Sequence, residues 1–214
     1  MDDRPADPAA LDDDRPGSPA DALAIIRSQQ ARVHAQLGPA TAVFFLLWGV
    51  AWILIGILAY LSATDAIAGA TAGFTGAAVV LVAGGASAWI GIRSGRGVAG
   101  ASSRQGMLYG ISWPIIMTLV GVFVGATAST LGLTDVQMTV LVPAIYALVV
   151  GALYSAAGAI WGHVPNYLLG LWIVAVGVIS VFAGAPANTL VFGIGAGGGM
   201  LVVGAVEMMR RPRP

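Results

Sequence analysis

Beyond residue 21 the chain holds three acids, Asp65, Asp135 and Glu207, and two histidines, His34 and His163. General acid–base catalysis needs a titratable group within hydrogen-bond reach of the reacting proton, and none of these five lies deep within an apolar run or beside a second such group. No Ser has a nearby His and Asp in a plausible turn, and no His-Glu-x-x-His or paired-carboxylate motif occurs. Cysteine is absent, which excludes disulfides, thiolate metal sites and cysteine nucleophiles. His163, in the turn Gly162–Pro165, reads as a solvent-exposed turn histidine, because a metal site needs several ligands at once. His34 is equally isolated. Glu207 stands about one turn before Arg210 and Arg211, so an interfacial ion pair is its expected role. The chain therefore reads as a non-enzyme, with no catalytic residue, no cofactor or metal site, and no nucleic-acid partner.

What remains polar is uncharged. Tyr109, Ser112, Thr118, Tyr146, Tyr154, Ser155 and Ser180 fall inside apolar runs, as do Thr71, Thr75 and Ser87. Hydroxyls in membrane helices ordinarily bond a carbonyl one turn back or a neighbouring helix. The competing role is lining a path for a neutral solute, and the candidates are Trp52, Ser112, Trp113, Tyr154 and Trp172. Trp and Tyr at span ends are ordinary interface anchors, but Trp52 and Trp113 lie one to two turns deeper than an anchor should. Pro114 and Pro143 each free a carbonyl inside a run and predict kinks.

The elements that must position these groups are six apolar runs: Ala42–Ser62, Ile67–Ile92, Met107–Leu131, Gln137–Trp161, Asn166–Ala183 and Asn188–Met209. Each is close to or above the ~18–20 residues that cross ~30 Å of hydrocarbon. A composition of 57% hydrophobic and 9% charged residues excludes a soluble domain with a wettable surface. All ten basic residues are arginine. Arg27 and Arg32 precede the first run, Arg93, Arg96 and Arg104 separate the second from the third, and Arg210, Arg211 and Arg213 follow the sixth. The connections after runs one, three and five hold Asp65, Asp135 and no charge. The positive-inside bias then places both termini in the cytoplasm. Arginine in place of lysine, with abundant Ala, Gly and Val, points to a GC-rich bacterial genome and hence a bacterial inner membrane.

The first 21 residues carry seven acids and two arginines, a balance of −5, and the remainder carries +5. Residues 1–17 are too poor in large apolar side chains to fold and read as a disordered acidic tail. Residues 18–38 read as an amphipathic helix lying on the cytoplasmic face. Ser18 is its N-cap, Pro19 its first position and Asp21 sits in its first turn, and Gly38–Pro39 ends it. The six-span domain occupies 39–209, and 210–214 is a basic cytoplasmic end. The expected fold is an all-α integral membrane protein of three helical hairpins plus that interfacial helix.

The hairpins look repeated. Leu47-Trp48-Gly49-Val50-Ala51-Trp52 is echoed by Leu108-Tyr109-Gly110-Ile111-Ser112-Trp113 and by Leu169-Gly170-Leu171-Trp172. Gly49, Gly110 and Gly170 are therefore spaced by 61 and 60 residues. Such a repeat implies pseudo-threefold symmetry about the membrane normal. Small residues recur at intervals of four, as at Gly193/Gly197 and Gly195/Gly199, and permit close backbone approach. Gly193, Gly197 and Gly199 are candidate packing or interface residues, and the sixth span is a candidate for joining a homo-oligomer.

The stretch Ile26-Arg27-Ser28-Gln29-Gln30-Ala31-Arg32-Val33, followed by Trp48-Gly49-Val50-Ala51-Trp52, resembles the N-terminal part of uncharacterised small six-span bacterial membrane proteins. The three hairpins with Leu-Trp-Gly-Val-x-Trp are similar in architecture to the urea/amide channel family. That resemblance implies a multimer with aromatic constrictions, but the family's carboxylate has no counterpart here, and no site residue carries over. Two functions follow as expectations. One is a channel or transporter-like path for a small neutral or apolar molecule without ion coupling. The other is an accessory or sensory subunit whose tail and first helix recruit a cytoplasmic or membrane partner, such as a transporter ATPase or a regulator.

Overall fold

The computed structural model of the chain describes residues 18–95 and 101–209. The acidic tail 1–17, Arg96 and the basic end 210–214 lie outside the described residues. Among those described, regular structure is entirely helical: α1 Pro19–Ala63, α2 Gly69–Ser94, α3 Ala101–Leu131, α4 Asp135–Trp161, α5 Val164–Ala183 and α6 Ala187–Met209. Each contains an apolar stretch of 20 to 28 residues, enough to cross a bilayer. The chain is a polytopic membrane protein. Six crossings put the start of α1 and the end of α6 on one side, referred to below as the terminal side.

One boundary differs from expectation. The helix capped at Ser18 does not stop at Gly38–Pro39 but continues into the first span as a single 45-residue helix. A proline removes one N–H and bends a helix without having to end it. Roughly 30 Å of α1 therefore precedes the apolar span that starts at Ala40. The N-terminal signals read from sequence hold: the Ser18 hydroxyl accepts from the Asp21 N–H at 3.2 Å.

The spans are arranged as a ring in chain order that is incomplete at one place. The closest pairings are α1 with α6 and α4 with α5, followed by α1 with α2 and α5 with α6. A threefold ring would make α2 with α3 as close as the first set, and α3 with α4 as close as the second. Instead α3 has a sparse interface with α4, and no substantial one joins it to α2. The pseudo-threefold pattern thus holds everywhere except around α3.

Glycine explains the tight seams. A methyl group at Gly49 would lie 2.9 Å from the Gly197 carbonyl oxygen, and one at Gly56 would lie 2.8 Å from the Gly193 Cα. In the second seam, a methyl at Gly170 would lie 2.5 Å from the Gly151 carbonyl, and Gly177 abuts the Ala147 side chain. Any larger residue would push the backbones apart and forfeit the dispersion contacts that hold membrane helices together. The buried core follows these seams: Phe45 from α1, Val150 and Tyr154 from α4, Leu169, Ile173 and Val176 from α5, and Phe192, Ala196 and Met200 from α6. By contrast, α2 buries only Ala83 and α3 only Val124 among their described residues.

Candidate functional site

Aromatic side chains from three helices meet in the terminal-side half of the ring. The rings run Trp48 to Phe44 at 6.3 Å, Phe44 to Phe45 at 6.2 Å and Phe45 to Tyr154 at 5.9 Å. They continue from Tyr154 to Trp113 at 5.3 Å, Trp113 to Tyr109 at 6.0 Å and Tyr109 to Trp161 at 4.9 Å. These separations suit tilted and edge-to-face attraction. Phe45 and Tyr154 are buried, so the chain of rings fills the interior at this depth. The long reach of Tyr109 and Trp113 explains how α3 touches the core while its backbone stays apart. The Tyr109 hydroxyl donates to the Leu153 carbonyl at 3.1 Å.

The residues singled out as path-lining are not one surface. Trp113 and Tyr154 meet in the aromatic chain, and Trp52 packs on Phe192 at 4.8 Å. The Ser112 hydroxyl donates to the Tyr109 carbonyl of its own helix at 2.7 Å. Trp172 lies apart, half exposed, with its indole N–H donating to the Gly195 carbonyl at 2.9 Å. Gly193 and Gly197 pack on α1, and Gly199 packs against the Trp172 ring. All three glycines are thus occupied within the chain. Other hydroxyls satisfy themselves locally, Ser180 on the Gly177 carbonyl and Ser87 on the Ala83 carbonyl. Ser87 also accepts from the Trp48 indole N–H at 2.9 Å, a polar bond between α1 and α2.

Two polar residues escaped the sequence reading, and a third was read without its partners. Asn188, fully buried at the start of α6, donates through Nδ2 to the Thr139 carbonyl of α4 at 2.7 Å, and its Oδ1 has no partner. Asn166 donates to the Tyr154 carbonyl at 3.1 Å and likewise leaves Oδ1 unpaired. Asn at the head of an apolar run was the available signal, since an amide there needs an interhelical partner.

The third is His163. It is far from idle: its N–H closes α4 on the Gly158 carbonyl at 2.8 Å, after the left-handed Gly162. Its Nδ1 accepts from the Asn166 N–H at 3.2 Å and so caps α5. Its Nε2 faces Glu207 of α6 at 3.5 Å. An acceptor Nδ1 places the proton of the neutral ring on Nε2, pointed at the carboxylate. Glu207 is therefore partnered by a histidine 44 residues away in sequence; the arginines expected to pair with it lie outside the described residues.

A groove of about 320 Å³ runs between α1 and α2 at mid-span, bounded by Leu47, Val50 and Leu54 on one side and Thr75, Val79 and Val82 on the other. Thr75 carries the only polar side chain in its lining. Among the described residues no group of three or more His, Asp or Glu side chains gathers as metal ligands do. Compared with protein-family models, curated proteins and solved structures, the chain matches none.

Proposed function

We propose that this membrane protein serves a small apolar molecule that reaches it from the bilayer, without ion coupling and without catalysis. The observation that carries the reading is the α1–α2 groove, an apolar concavity at hydrocarbon depth. The aromatic interior agrees with an uncoupled role, because the rings that fill it bring few free donors or acceptors. A coupled transporter would ordinarily place an ionisable group at mid-membrane. Here Glu207 stands at the very end of its span. The arginine distribution supports a cytoplasmic terminal side in a bacterial inner membrane.

The test is photolabelling of the protein in proteoliposomes with an apolar diazirine. Labels should concentrate on Val50, Leu54 and Val82, and Ala51→Trp or Ala78→Trp should reduce them. Labelling spread evenly over all lipid-facing residues, unchanged by either substitution, would sink the proposal. An accessory-subunit role is the second reading, favoured by the unbroken α1. A stiff rod joining an N-terminal segment to the span packed on α6 would transmit a partner's position into the bundle. Removing residues 1–36 should then abolish the partner's regulation while leaving groove labelling intact.

A further inference from the structure

Gly49 and Gly170, two of the three repeated glycines, are each pressed against a carbonyl of the neighbouring even-numbered helix, Gly197 on α6 and Gly151 on α4. The third, Gly110 on α3, has no atom within 4 Å of where its Cβ would be. Its neighbour in the ring is α2, which carries the matching pattern. Even-numbered helices share a pair of glycines seven apart: Gly84/Gly91, Gly151/Gly158 and Gly197/Gly204. Their depths agree as well, because Gly84 lies 10 residues before Ser94, Gly151 10 before Trp161 and Gly197 12 before Met209. Gly84 and Gly91 are open like Gly110. Two seams of this design are closed in the same molecule, and the third is not.

The sequence also holds a reason for the difference. One heptad farther from the terminal side, the closed seams pair Gly56 with Gly193 and Gly177 with Ala147. The equivalent positions of the third seam are Met117 on α3 and Val80 on α2. Two bulky side chains at that level, of which Met117 packs against the core cluster, disfavour the close backbone approach that glycine allows elsewhere.

We propose that α2 and α3 form a movable seam facing the bilayer, shut when Gly110 seats against Gly84 and held open by Met117 and Val80. Opening exposes the flank of the aromatic interior next to Trp113 to lipid, and shutting completes the ring. The inference stands on the repeated seams and not on the groove, so either can fail alone. Closure gains dispersion contacts that lipid tails can also supply, so the two states need differ little in free energy.

The chain lacks native cysteine, so Gly84→Cys with Gly110→Cys is a clean pair, assayed in native membranes under mild oxidation. Cα atoms more than ~7 Å apart cannot be bridged without backbone movement. The expected result is an intramolecular disulfide that forms slowly in the otherwise native chain. Adding Val80→Ala and Met117→Gly should speed it by roughly tenfold, the size of a modest population shift. Leu46→Cys with Gly204→Cys, across a closed seam, serves as the positive control. Bonds found only between two copies would overturn closure in favour of self-association. No bond, while the control forms, would show a permanently open ring. A second measurement avoids the packed faces: spin labels at the exposed Phe74 and Phe123 should give two distances, of which the shorter dominates in the Val80→Ala, Met117→Gly variant. A single distance unchanged by those substitutions would also overturn the proposal.

Discussion

The seam between α1 and α6 and the gap between α2 and α3 are built from the same kinds of residue, yet one is closed and the other is not. Both hold glycines at helical spacing. In the first, Gly49, Gly56, Gly193, Gly197 and Gly204 each meet a carbonyl, a Cα or a side chain of the facing helix, whereas in α2 Gly73, Gly76, Gly84, Gly85 and Gly91 meet nothing within 4 Å. Glycine therefore permits close packing without producing it. The closed seam presents facing small residues at successive depths, Gly49 on Gly197 and Gly56 on Gly193.

The sharpest way to break this comparison is to fill a glycine on each side. Gly197→Leu would drive a side chain into the Gly49 carbonyl, 2.6 Å from the first added carbon, and into Ile53. Backbone cannot yield as a flexible side chain can. We expect ~3 kcal/mol or more of destabilisation, read as aggregation or loss of the monodisperse folded peak in detergent. Gly76→Leu on α2 should cost no more than ~0.5 kcal/mol, as an exposed substitution would. Equal effects at the two sites would mean that the open face is filled in the membrane.

This contrast also marks what was legible in the sequence. The six spans were readable because a bilayer imposes length and apolarity on each segment alone. The glycine repeat was readable as a spacing, but its partners were not, because which helix faces which is a property of the whole ring. The break assigned to Gly38–Pro39 failed because proline weighs locally against a helix that the flanking residues continue. His163 looked isolated since its partner Glu207 sits on another helix, and sequence distance says nothing about proximity across a hairpin. Trp52 and Trp113, which read as deeper than interface anchors, both pack on the core cluster.

Smaller effects should follow where single polar bonds join helices. Asn188→Leu removes the α6–α4 bond to the Thr139 carbonyl and leaves that oxygen bare. A loss of ~1–2 kcal/mol is expected, visible as a lowered thermal midpoint in detergent. Trp48→Phe removes the bond that ties α1 to α2 through Ser87. Its cost should be nearer ~0.6 kcal/mol, but its consequence is regional: spin labels on α2 should broaden while those on α5 and α6 stay sharp. Uniform broadening would contradict the picture of a firm four-helix core with two loosely held neighbours.

The last predicted effect concerns the turn that fastens the firm half. His163 caps α5 through Nδ1 and meets Glu207 through Nε2. His163→Ala loses the cap and should cost about 1 kcal/mol, whereas His163→Asn retains a good capping residue and should cost little. The pair with Glu207 is partly exposed, so its coupling in a double-mutant cycle should fall between ~0 and 1 kcal/mol. Thermal midpoints in detergent of His163→Ala, Glu207→Gln and the double variant, set against the native chain, complete the cycle. If the two single losses simply add, the carboxylate is not engaging the imidazole, and the clasp between α6 and the α4–α5 turn is not an interaction that holds this end of the bundle.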